Sequence, residues 1–129
     1  MKRSLKRPTG AELEILRVLW ARGPSTVREV QNALGAHDTG YTTALKLLQI
    51  MAEKGLVVRD ERARAHVYAA RVAEGETQRQ LVRELLDRAF GGSAAKLVMQ
   101  ALATRRASRE EIAGIRRLLD ELDHEGGER

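Results

Sequence analysis

From Tyr41 to Gly55 the chain reads YTTALKLLQIMAEKG, and it passes at once into Leu56-Val57-Val58-Arg59, a charged turn and Ala65-His66-Val67-Tyr68. Placed at about 100° per residue, Ala44, Leu47, Leu48 and Met51 share one side, and Thr42, Lys46, Gln49 and Glu53 share the opposite one. The first side requires a core. The second offers hydroxyl, amide and ammonium groups to something outside. The spacing predicts a helix stopped by Gly55 and followed by a short β-hairpin with arginines at its tip. A helix of that width fits the major groove, where base edges and phosphates need donors of this kind.

Two shorter helices are expected before it. Thr9 and Glu12 stand three apart, the spacing at which a hydroxyl and a carboxylate each satisfy an amide at a helix start. That helix runs to about Ala21, with Leu13, Leu16, Leu19 and Trp20 inward, and stops at Gly23-Pro24 because proline cannot continue the hydrogen-bond ladder. Thr26 and Glu29 repeat the box and open a short helix through Val27, Val30 and Leu34, stopped by Gly35. A polar loop, Ala36 to Gly40, leads to the third helix. Helix, helix, recognition helix and hairpin, in this order, are the parts of a winged helix-turn-helix. Residues 6–71 are expected to form that domain, and the fold class is mainly α.

Beyond residue 71 the character changes. Thr77 to Phe90 reads as a helix with a wide apolar stripe that includes Leu81, Val82, Leu85, Leu86 and Phe90. Gly91-Gly92-Ser93 breaks it, and Ala94 to Ala103 carries Leu97, Val98, Ala101 and Leu102. A third box, Ser108 with Glu111, opens a helix whose Ile112, Ile115, Leu119 and Leu122 follow at intervals of 3, 4 and 3, the seam of helix-on-helix packing. A segment this short with so much apolar surface buries poorly alone. Residues 72–124 are therefore expected to pack against a second copy, through Leu81, Leu85, Leu97, Val98, Ile112, Ile115, Leu119 and Leu122. Residues 125–129 are expected to fray, as is the start, Met1 to Leu5.

Composition narrows the function. The 129 residues exclude two large domains. Aromatics make up only 3%, so the core must rest on Leu, Val, Ile and Ala. No apolar run approaches the ~18 residues of a membrane span and no signal segment follows Met1, so a cytoplasmic protein without membrane insertion is expected. With no cysteine, disulfides, thiol chemistry and zinc-finger sites are excluded, and His37, His66 and His124 lack ligand spacing. Neither a metal nor another cofactor is expected. The net charge of +5 is unevenly spread: residues 1–71 hold 13 Lys and Arg against 7 Asp and Glu, residues 72–129 hold 10 against 11. The basic half is the half with the helix and hairpin, which suits a polyanion.

The candidate surface for double-stranded DNA is Tyr41, Thr42, Thr43, Lys46 and Gln49 on the helix, with Arg59, Arg62 and Arg64 on the wing. Thr42 and Thr43 sit where the helix dipole and free amides favour a phosphate; Lys46 and Gln49 follow one and two turns along. The competing reading is a solvated helix face with Thr42 or Thr43 as the cap. Tyr41 is equally compatible with stacking on the backbone or with a half-buried structural role. Ile50, an aliphatic side chain at the edge of the exposed face, either packs under the wing or touches a thymine methyl, and packing is the preferred expectation. On the wing, Asp60 and Glu61 compete for the arginines. His66, Lys6 and Arg7 are lesser candidates. Catalysis finds no support: there is no phosphate loop, and no serine, histidine or carboxylate constellation emerges. The acidic run near Glu110, Glu111, Asp120 and Glu121 reads as a solvated face.

Taken in order, Ala11-Glu12-Leu13-Glu14-Ile15-Leu16 with Trp20, Thr26-Val27-Arg28-Glu29-Val30, Tyr41-Thr42-Thr43 with Leu47-Leu48, Glu53-Lys54-Gly55-Leu56-Val57 and Ala65-His66-Val67-Tyr68 resemble the penicillinase repressor family of BlaI/MecI/CopY-type bacterial regulators. The resemblance implies a homodimer on a dyad-symmetric operator, one winged helix per half-site. It also implies a partner membrane sensor metallopeptidase that ends repression by cleavage in the dimerisation region. The matching stretch is Leu97-Val98-Met99-Gln100-Ala101-Leu102, with the cut between Gln100 and Ala101, where the best-known members have asparagine followed by phenylalanine. Lys46 stands where a threonine is common and Ile50 where an arginine is common. The cysteine-rich tail of the copper-responsive branch has no counterpart. Two other readings remain open at this level: a winged-helix protein-interaction module, and a non-specific architectural DNA binder.

Overall fold

The computed structural model of the chain describes residues 7–35 and 39–127. The expectations for Met1 to Leu5, Lys6, His37 and the adjoining part of its loop, and the last two residues of the tail fall outside that range. Two compact units divide the chain, residues 1–81 and 82–129.

In the first unit, helix α1 spans Gly10–Arg22 and begins as its sequence demands: the Thr9 hydroxyl accepts from the Glu12 amide at 3.2 Å, and the Glu12 carboxylate accepts from the Thr9 amide at 3.0 Å. It ends at Gly23, whose φ of 90° and ψ of −171° lie in a region open essentially to glycine alone. The Thr26 box opens helix α2, Val27–Leu34, in the same way. Helix α3, Tyr41–Lys54, stops at Gly55, which takes the left-handed conformation at φ 84° and lets the Leu56 amide reach back to the Met51 carbonyl at 2.9 Å.

The wing differs from a two-stranded hairpin. Strand β1, Ser25–Thr26, joins β2, Val57–Asp60, and β3, Val67–Ala70, in an antiparallel sheet of order β1-β3-β2. Ser25 pairs with Tyr68, and Tyr68 in turn pairs with Arg59 on the other side. Two residues are too few to display strand alternation, and Thr26 already announces itself as a helix cap, so β1 has no signature of its own in the sequence.

The core of this unit gathers Ile15, Leu16 and Leu19 of α1, Val27 and Val30 of α2, Ala44, Leu48 and Met51 of α3, and Leu56, Val57 and Tyr68 of the sheet region. Ile15 is fully buried, whereas Leu13 and Trp20, expected inward, are only half-buried. Each fully buried Leu or Ile contributes about 1.5–3 kcal/mol by leaving water. Two polar fasteners accompany it. The Trp20 indole donates to the Val72 carbonyl at 2.9 Å, tying α1 to the segment after the wing. The Lys54 ammonium donates to Glu12 Oε1 at 2.6 Å, joining the end of α3 to the start of α1. Burial pushes the Glu12 carboxyl up, but the Lys54 bond and the Thr9 amide outweigh it and hold the group below its ordinary value of 4.5. Three helices with a sheet-backed hairpin make this unit a winged helix.

Helix α4, Glu74–Ala89, contributes residues to both units and starts earlier than the expected Thr77, because Glu74 and Glu76 place acidic groups in the first turn, where the dipole favours them. Thr77 itself is buried. The second unit continues with α5, Ala94–Thr104, capped by Ser93, and α6, Arg109–Gly127, opened by the reciprocal Ser108 and Glu111 bonds at 3.0 and 2.9 Å. Helix α6 extends through Glu125 to Gly127, into the stretch expected to fray. No residue from 82 to 126 is buried.

Candidate nucleic-acid interface

The polar side of α3 faces outward as the helical spacing requires. Thr42, Thr43, Lys46 and Gln49 are all exposed, while Ala44, Leu48 and Met51 are buried beneath them. The cap of α3 is Gly40, which has no side chain to offer, and no side-chain cap bond closes this helix start. Thr42 and Thr43 therefore lie inside the first turn with their hydroxyls outward, and the reading of either as the cap is set aside. In contrast to α1, α2 and α5, the first amides of α3 meet no N-cap side chain, which leaves the positive end of its dipole open to an anion.

Ile50 is 38% exposed, so it is not packed away under the wing. An aliphatic group on this face can meet a thymine methyl instead. Tyr41 is 41% exposed and carries the Arg28 guanidinium over its ring, 4.8 Å from the centroid.

On the wing the arginines divide. Arg62 forms a two-pronged pair with Asp60, with Nη2 to Oδ2 at 2.8 Å and Nε to Oδ1 at 3.0 Å. That guanidinium, with the Arg62 amide, lowers the Asp60 pKa to about 2. Arg59 is raised above its ordinary value by its bond to Tyr68 and then by the Glu61 carboxylate, to which it is ion-paired. Arg64 has no ion pair among the described residues. The competition from Asp60 and Glu61 read in the sequence is thus realised for two arginines of three.

A cleft of about 320 Å³ opens where these parts meet, lined by Thr26, Val27 and Arg28 of the α2 start, Tyr41 and Leu45 of α3, and Arg64, Ala65, His66 and Tyr68 of the wing. Arg28 and Gln31 were not singled out in the sequence. Gln31, 8% exposed, accepts from Arg28 Nη1 at 3.2 Å and donates to the Thr39 carbonyl at 3.4 Å, linking α2 to the entry of α3. Its signal was legible: Val27, Val30, Gln31 and Leu34 occupy the i, i+3, i+4, i+7 face, so a polar group sits on an apolar stripe.

This geometry has relatives. The family profile described as penicillinase repressor matches residues 8–121, nearly the whole described chain. The chain belongs to the penicillinase repressor family. The transcriptional regulator BlaI of Mycobacterium tuberculosis is 33% identical over 127 residues, covering 97% of this chain and 91% of that protein. The penicillinase repressor of Bacillus licheniformis is 24% identical over 112 residues, covering 86% and 88%. A solved mutant MarR from E. coli is a looser likeness, with a TM-score of 0.49 at 16% identity over 88% of this chain and 76% of that one. Penicillinase repressor family members are transcriptional regulators and not enzymes. Among the described residues no helix is long and apolar enough to cross a membrane.

Proposed function

We propose that this transcriptional repressor acts in the cytoplasm as a homodimer on a dyad-symmetric operator, each protomer laying α3 in one major groove. Thr42, Thr43, Lys46 and Gln49 would read bases and phosphates there, with Tyr41 at the edge and Arg59, Arg62 and Arg64 of the wing along the backbone. The observation that carries this reading is the α3 surface: an outward row of hydroxyl, ammonium and amide groups, led by a helix start without an N-cap side chain. The dimer is supported by the carboxy-terminal helices, where Leu85, Val98, Ile112, Leu119 and Leu122 are exposed and Leu81, Leu97 and Ile115 are only half-buried. Apolar surface on that scale calls for a partner, and the heptad-like seam favours a second copy.

Release of repression is proposed to follow cleavage between Gln100 and Ala101 by a partner membrane metallopeptidase. Both residues are exposed on α5, and the Thr104 hydroxyl closes a bond to the Gln100 carbonyl at 2.7 Å. A peptidase grips extended backbone, so the cut requires this turn of α5 to unwind first. The deciding experiment is fluorescence anisotropy with the duplex upstream of the chain's own gene and a scrambled duplex, across a salt series. A preference of at least about 1,000-fold for the promoter and a dimer by sedimentation support the proposal; equal affinity for both duplexes, or a monomer, ends it.

A further inference from the structure

We propose that the cleft between the start of α2, the start of α3 and the descending arm of the wing is a seat for one backbone phosphate of duplex DNA, anchored by Arg28. The inference rests on the reading of the chain as a DNA-binding repressor and assigns a contact that the recognition-helix surface does not contain.

The cleft has the right charge. Arg28, Arg64 and His66 line it, and among the described residues no carboxylate does. Arg59 and Arg62 are engaged with Glu61 and Asp60, whereas Arg64 keeps its guanidinium unpaired among the described residues. The Thr26 hydroxyl, although it accepts from Glu29, still has its own proton to donate towards the cleft it lines.

Arg28 is held in place. Its guanidinium carbon sits over the Tyr41 ring, 4.8 Å from the centroid, and one of its five N–H donors is taken by Gln31. Gln31 is buried and is itself bonded to the Thr39 carbonyl, just ahead of α3. The ring and the amide together restrain the guanidinium and leave its remaining donors for a ligand. A planar fork with little freedom left to lose suits a phosphate, which accepts two parallel N–H bonds. The position suits a duplex as well. Tyr41 is the first residue of α3, so an anion in the cleft sits beside the open helix start that the proposed function directs into the groove. The same oxyanion chemistry could be supplied by a free phosphate, and the test separates the two.

The full chain and its Arg28→Ala, Arg28→Lys and Arg17→Ala variants are compared on promoter and scrambled duplexes across a salt series, with thermal unfolding as the control for folding. Arg17 is exposed on α1 and does not line the cleft, so it repeats the charge change elsewhere. Arg28→Ala is expected to weaken both duplexes alike, by about 10-fold, and to reduce the salt slope by about 0.9, the value of one phosphate contact. Arg28→Lys keeps the slope and recovers part of the affinity. Arg17→Ala leaves both close to wild type. Arg28→Ala binding like wild type, an equal loss in Arg17→Ala, or a changed sequence preference in Arg28→Ala each overturns the inference while leaving the repressor reading in place. A wild type with no promoter preference whose affinity still falls in Arg28→Ala ends the repressor reading and supports the phosphate seat. Saturable calorimetric binding of inorganic phosphate that depends on Arg28, with duplex affinity unchanged in Arg28→Ala, assigns the cleft to a free anion and overturns the proposal.

Discussion

The two units of the chain solve the burial problem in opposite ways. Residues 7–81 wrap three helices and a three-stranded sheet around eleven buried apolar side chains, from Ile15 to Tyr68. Residues 82–126, with helices as long and a comparable supply of leucine, bury none. The difference lies in geometry and not in hydrophobicity. In the first unit the apolar faces of α1, α2 and α3 converge, while in the second, Leu118, Leu119 and Leu122 are each more than half exposed. A helix stripe without an opposing surface has no core, whatever its composition. The first unit is therefore stabilised by its own packing, whereas the apolar stripe of the second stays exposed in the single chain.

The most damaging change on the first side is Leu48→Ala. It empties a fully buried position of α3 and is expected to lower unfolding free energy by about 2–5 kcal/mol, read from urea titration, without changing the oligomeric state. An altered dimer constant in that variant would break the separation of the two regions. On the other side, Leu119→Asp combined with Leu122→Asp is expected to raise the dimer dissociation constant by about 100-fold or more in sedimentation equilibrium. The near-ultraviolet signal of Trp20, which belongs to the first unit, should persist.

A smaller effect sharpens the account of the first unit. Lys54→Met leaves the buried Glu12 carboxylate with its Thr9 amide alone, and a loss of about 1–3 kcal/mol is expected in thermal unfolding. The Glu12 pKa is lower in the folded chain than the ordinary 4.5, so its contribution is complete above that value and is lost as pH falls through the lower folded-state value. Wild type should thus lose stability on acidification below about pH 4.5 more steeply than Glu12→Gln, a difference visible in melting temperatures measured from pH 6 to pH 2.

The smallest effect concerns the wing. Asp60→Asn with Glu61→Gln frees Arg62 and Arg59, and tighter binding to scrambled duplex at low salt is expected, by about 2–5-fold, with a steeper salt slope. An unchanged slope would mean that the acidic pair does not restrain the wing.

Much of this was readable residue by residue. The Thr9, Thr26 and Ser108 boxes form the bonds their spacing demands, because a cap is a contract between residues three apart. The glycine stops at Gly23 and Gly55 fall where helices end. The outward row Thr42, Thr43, Lys46 and Gln49 follows from period alone, and so does the unburied stripe of the carboxy-terminal helices. Other features escaped. Strand β1 is two residues long and is created by its partner β3, so local pattern holds no trace of it. Lys54 and Glu12 are 42 positions apart, and only the packing of α3 on α1 makes them a pair. Ile50 reads in the sequence as a residue at the edge of the exposed face, with packing under the wing preferred over an outward contact, and its exposure favours the second of those readings.

By itself, then, the sequence determined which segments are helical, where the boxed helices start, where the first three helices stop, and which side of α3 carries donors, since all of these are settled by neighbours within one or two turns. The fold alone decided that Tyr68 is clasped between two strands, that of the three wing arginines Arg64 is the one without an ion pair among the described residues, and that Arg28 lies over Tyr41 beside a basic cleft. Most of those arrangements join residues from separate elements, and which partners meet depends on how the chain closes on itself, a property that no local pattern encodes.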